Sequence, residues 1–128
     1  MIYIYCDKSD KRFQRGVVWL KTHKLDFSII TSHNITKELI LQALRVSENG
    51  FDDILIPVEK MSSTKKEIYE FFCDESMSVS TLLSVLRYTP MLLKSPIMFD
   101  DKHLMTGFDE YEIRKFLPRT YRERSRFR

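Results

Sequence analysis

The chain has 128 residues, of which 43% are hydrophobic and 30% charged, the balance of one folded domain in water. Nine Phe, six Tyr and one Trp exclude a disordered chain, and only three Gly with four Pro exclude collagen-like or low-complexity sequence. The net charge of +3 is uneven: Arg114 to Arg128 carries seven basic residues against Glu123, a net +6, which leaves −3 on residues 1–113. A basic end on a slightly acidic body differs from the all-over basic face of a DNA-binding domain.

No run approaches the roughly 18 apolar residues of a membrane span. Met1 to Cys6 is too short for a signal peptide and has no basic start, so the chain is read as cytoplasmic, with no membrane role. Cys6 and Cys73 form no CxxC or zinc spacing and are read as buried thiols.

In chain order, Ile2 to Cys6 is β-branched and aromatic and is bounded by Asp7-Lys8-Ser9-Asp10, which predicts a short strand and a turn. Phe13, Val17 and Leu20 recur at helical spacing, giving a helix at about 11–23. Leu25 to Thr31 reads as a second strand. Thr36 caps a second helix with Leu39, Ile40, Ala43 and Leu44 on its buried stripe, and Gly50 is read as its C-terminal stop. Phe51 to Ile56 is a short helical or extended piece cut by Pro57. Ser62-Ser63-Thr64 caps the next helix, and Ser78 or Ser80 the one after, which Pro90 closes.

The period then changes. Pro96 to Phe99 and His103 to Thr106 flank the turn Asp100-Asp101-Lys102, which is a β-hairpin. Asp109 and Glu112 have the spacing of a capping box for a last helix running to Leu117 and stopping at Pro118. The order is a βαβ unit, three further helical pieces, then ββα. This reads as an α/β, thioredoxin-like four-stranded mixed sheet with an inserted helical lobe.

The segment Leu92 to Phe108 (a leucine pair, Lys94, Ser95-Pro96, an apolar strand, Asp100-Asp101, Gly107), followed by Phe116-Leu117-Pro118-Arg119, resembles the Spx family. That family belongs to the arsenate reductase (ArsC)-like branch of the thioredoxin fold. The resemblance extends upstream through Leu44-Arg45 and Glu48-Asn49-Gly50 to Trp19-Leu20 and Tyr5, and the stretch 57–63 is expanded against the family pattern. It implies a single ArsC/Spx-like domain over 1–118, with a thioredoxin-like core at about 1–34 and 91–118 and a helical lobe at about 35–90. Residues 119–128 are read as a basic, flexible tail.

The resemblance further implies a transcriptional regulator that binds the C-terminal domain of the RNA polymerase α subunit in stress responses, without catalysis. Promoter DNA would be met only in complex with polymerase, and a protease or its adaptor is a further implied partner. The family's polymerase contact falls on Arg45 and Gly50 here. Its redox CxxC positions are Asp10 and Phe13, so a CxxC disulfide switch is excluded. The family's Arg before the strand proline is Ser95, and Pro96 is the implied cis-proline.

Bland readings stand beside these. Gly50 serves as a helix cap, and Arg45 as a solvated charge. Lys65 and Lys66 sit where cations oppose the helix dipole, which suggests DNA phosphate nearby, against a plain solvated loop. Asp52-Asp53 is read as solvated and Asp100-Asp101 as turn chemistry. His23, His33 and His103 are scattered, and no metal or cofactor is called for. The Arg-rich tail, with Tyr121 and Phe127, suits protease recognition, DNA contact or plain solvation, and it lacks the small apolar end of the family's degradation signals. The alternatives are a degenerate thiol reductase using Cys6, in the arsenate reductase or glutaredoxin manner, and a protein–protein adaptor or antagonist.

Overall fold

The computed structural model describes residues 1–74 and 76–118, so the basic tail 119–128 lies outside the described residues. The strands are β1 (Ile2–Tyr5), β2 (Phe27–Ile30), β3 (Ile97–Phe99) and β4 (Leu104–Thr106), in the sheet order β2-β1-β3-β4. β1 pairs β2 in parallel, with Tyr3 opposite Ser28, and pairs β3 antiparallel, with Tyr3 opposite Phe99. The β3–β4 hairpin sets Met98 opposite Met105. Cys6 extends the parallel ladder by donating its N–H to the Ile30 carbonyl at 2.9 Å.

The strand period of two sends alternate β1 residues to opposite faces. Ile2 and Ile4 join Met98, Met105 and Leu20 under α1 (Lys11–Thr22), together with Ile113 and Phe116. Tyr3 and Tyr5 turn to the other face, with Ile97, Phe99 and the helical segment. Both faces of the sheet are therefore covered, which is why its central strands read as nearly continuous apolar runs. Gly16 lets α1 sit close to the sheet, since a Cβ there would lie 3.3 Å from both Ile4 Cδ1 and Met98 Cε.

Between β2 and β3 come α2 (Lys37–Arg45), α3 (Phe51–Ile54), α4 (Ser63–Phe72) and α5 (Val79–Tyr88). Thr36, Ser62 and Ser78 each accept the backbone N–H three residues on, at 3.2, 3.3 and 3.2 Å, which fixes where these helices begin. Of the two serines offered for the α5 cap, Ser78 is the one used. Leu55 bridges Leu93, tying α3 to the segment before β3. The buried Tyr5 hydroxyl donates to the Pro90 carbonyl at 2.9 Å, pinning the end of the helical segment to the sheet.

Two local readings are corrected. α2 ends at Arg45 with Val46 as its cap, so Gly50 is not its C-terminal stop; it precedes α3, with φ +68° and ψ −136°. The last helix is a five-residue 3-10 turn, Glu112–Phe116. Asp109 does accept the N–H groups of Tyr111 and Glu112, both at 2.8 Å. The Glu112 carboxylate does not return to complete a capping box; it takes Lys115 Nζ at 3.0 Å, and Lys115 also donates to the Leu104 carbonyl.

Candidate functional site

Three places hold the residues singled out in the sequence. The first is the start of α1. Asp10 is its N-cap and accepts the Phe13 N–H at 2.9 Å, so a carboxylate already satisfies the positive end of this helix. Arg12 Nη2 donates to Asp10 Oδ2 at 3.1 Å and to the Ser95 carbonyl at 2.8 Å, and Ser95 Oγ accepts the Asp7 N–H at 2.9 Å. The Ser95–Pro96 peptide bond is cis. These contacts join the α1 start to the loop entering β3.

Cys6 is buried beside this loop and is free. Burial pushes its thiol up, the Asp10 and Asp7 carboxylates push the same way, and the hydrogen bond with Ser95 only partly opposes them. A reactive thiolate needs the opposite surroundings, a helix N-terminus or a cation at the sulfur. Cys73, also free and half-buried, is raised by burial.

The second place is the turn from α2 to α3. Arg45 ends α2 and is exposed. Gly50 adopts a backbone conformation that side chains resist, and a Cβ placed there would meet nothing within 4 Å. The turn is organised by Asp53. Its Oδ2 accepts the N–H groups of Glu48 and Asn49, both at 2.8 Å, and its Oδ1 accepts Asn49 Nδ2 at 3.2 Å. These bonds, the Asn49 N–H first, hold the Asp53 carboxyl below its ordinary range, and Lys94 adds to the effect. The reading of Asp53 as merely solvated is thus corrected. The signal was present: an acid at the third position of a short helix reaches back to free N–H groups.

The third place is a cleft of about 490 Å³ where the α1 start, the Ser95 loop and the approach to α4 meet. It brings together Asp10, Arg12, Ser95 and Lys65, with Lys8, Lys60 and Lys94. Lys66 is exposed and does not line it, and Arg45 and Gly50 lie outside it. Asp100 behaves as turn chemistry, accepting the N–H groups of Lys102 and His103. Among the described residues no helix is long and apolar enough to cross a membrane, and no cluster of His, Cys, Asp and Glu can hold a metal.

The frame that carries these sites is thioredoxin-like, and within it the Asp10 carboxylate caps α1. The ArsC family pattern matches residues 5–116. The global transcriptional regulator Spx of Streptococcus pneumoniae R6 is 40% identical over 128 residues, covering 96% of this chain and 90% of that protein. The global transcriptional regulator Spx 1 of Lactococcus lactis is 35% identical, covering 95% and 93%. The chain belongs to the ArsC family and, within it, to the Spx proteins.

Solved structures agree on the fold. A Staphylococcus aureus COL protein solved by NMR superposes with a TM-score of 0.66 at 17% identity, covering 90% of this chain and 97% of that one. A protein from Streptococcus mutans UA159, described as a possible arsenate reductase, gives 0.64 at 18%, covering 91% and 98%.

Proposed function

We propose that this protein is a non-enzymatic transcription regulator of the cytoplasm that docks on the C-terminal domain of the RNA polymerase α subunit. Arg45 and Gly50 form the centre of the contact, in stress-response transcription without a CxxC switch. The observation that carries the reading is Gly50: bare backbone with open space around it, five residues after the exposed Arg45 at the end of α2, suits close approach by a partner surface. The relatives named as global transcriptional regulators support the same class.

Lys65 and Lys66, at the start of α4, come near promoter DNA only once the polymerase is bound, as positioning contacts without base readout. A protease or its adaptor is a further proposed partner, although the tail 119–128 lacks the small apolar end of the family's degradation signals. A thiol-reductase role draws no support from Cys6, whose surroundings disfavour the thiolate.

The test is calorimetric titration of the full chain with a bacterial RNA polymerase α C-terminal domain at two salt concentrations. The expected result is saturable one-to-one binding that weakens in Arg45→Ala. A folded, monodisperse sample that does not bind overturns the reading, and an adaptor role on another target replaces it.

A further inference from the structure

We propose that the cleft beside the α1 start binds a small polyphosphate anion, of the size of pyrophosphate or a nucleoside triphosphate. The inference does not rest on the polymerase reading. At about 490 Å³ the cleft has the volume of a small-molecule site.

Five cationic side chains line it: Lys8, Arg12, Lys60, Lys65 and Lys94. Arg12 is already engaged by Asp10 and by the Ser95 carbonyl. None of the four lysines makes an ion pair or a side-chain hydrogen bond among the described residues. Two carboxylates line the same cleft: Asp10 is consumed by Arg12 and the Phe13 N–H, which leaves Asp7 facing the lysines, while Asp53 opposes Lys94 from outside the cleft.

Gathering four unpaired like charges around one concavity raises its positive potential. Lys65 adds a second cost, since it stands in the first turn of α4, where a cation opposes the helix dipole. A multivalent anion relieves both. A monovalent anion would meet too few of the lysines, and the α1 N-terminus is closed to it because Asp10 sits there. The phosphates therefore lie against Lys60, Lys65 and Lys94. Ile56, Pro57 and Leu93 supply an apolar wall for the uncharged part of a nucleotide.

The experiment is isothermal titration of the full chain with pyrophosphate, ATP and a short DNA duplex, backed by thermal-melt shifts. Lys66→Ala serves as the charge control, because Lys66 is in the same turn of α4 and outside the cleft. The expected result is saturable binding of pyrophosphate and ATP with a raised melting temperature. Lys60→Ala and Lys94→Ala should each weaken it roughly three- to fivefold, the scale of a solvent-accessible ion pair, and Lys66→Ala should leave it unchanged.

Three results overturn the proposal: no binding of either small anion at low salt, equal weakening by Lys66→Ala, or binding of the duplex without binding of pyrophosphate. All three variants alter solvent-facing lysine heads, and circular dichroism melts confirm that the fold is retained.

Discussion

Asp53 holds Asn49 twice, taking its backbone N–H at 2.8 Å and its side-chain amide at 3.2 Å. That pair fixes the turn in which Gly50 stands. In Asp53→Ala the amides of Glu48 and Asn49 should exchange faster with deuterium, while α1 and the sheet keep their protection. The cost in stability is about 1 kcal/mol, because both amides belong to exposed residues and water replaces the carboxylate. Asp53→Asn should keep part of the protection through its one remaining oxygen. Unchanged exchange at both amides in Asp53→Ala would remove Asp53 as the organiser of this turn.

Gly50 separates strain from steric exclusion. Both Gly50→Ala and Gly50→Arg must force a side chain into a positive-φ conformation, so each should lower stability by roughly 1–3 kcal/mol in urea unfolding. The polymerase-domain affinity should fall sharply only in Gly50→Arg, because an alanine methyl still fits open space. Equal affinity of the two folded variants would place the contact elsewhere.

The carboxyl of Asp10 is held below its ordinary value of 3.8, chiefly by the Phe13 N–H and further by Arg12. A depressed carboxyl stabilises the folded chain fully above its unfolded-state value and loses that contribution as pH falls through the folded one. Asp10→Ala should therefore cost about 1 kcal/mol at pH 7, the usual worth of a helix cap. Urea unfolding should show the gap between wild type and Asp10→Ala closing below about pH 4. A gap of constant size down to pH 2.5 would contradict the assignment.

Cys6 should alkylate with iodoacetamide at pH 7 more slowly than a free cysteine, since burial and two carboxylates raise its thiol. Unfolding in urea should restore the ordinary rate. A fast reaction in the folded chain would reopen thiol chemistry.

Tyr5→Phe removes the hydroxyl that donates to the Pro90 carbonyl and leaves that acceptor facing the core. The expected cost is about 1–3 kcal/mol, visible as a lower melting temperature. Burial, with Asp7 nearby, keeps the phenol protonated far above its ordinary range. This contribution should therefore not vary between pH 6 and 9.

Local signals in the sequence placed most of the secondary structure. Thr36, Ser62 and Ser78 were readable as caps because the bond each makes spans three residues. The hairpin around Asp100 was readable for the same reason, since its carboxylate serves N–H groups two and three positions on. Gly50 misled because glycine marks any positive-φ position, and neighbours in sequence do not say whether that position ends one helix or precedes the next. The last helix misled because Lys115 drew Glu112 away from the cap, and its contact with the Leu104 carbonyl crosses to another element.

The sequence alone determined the alternation of strands and helices, the lack of any CxxC spacing, and the family that the comparisons support. These depend on residue identity and short spacing, which the chain carries without folding. Only the tertiary structure decided that Arg12 of α1 reaches the Ser95 carbonyl, and that Lys8, Lys60, Lys65 and Lys94 line one cleft. Those residues are far apart along the chain. They meet because β1 and β3 pair side by side, and the cost of closing the long intervening segment is met by the core buried on both faces of the sheet.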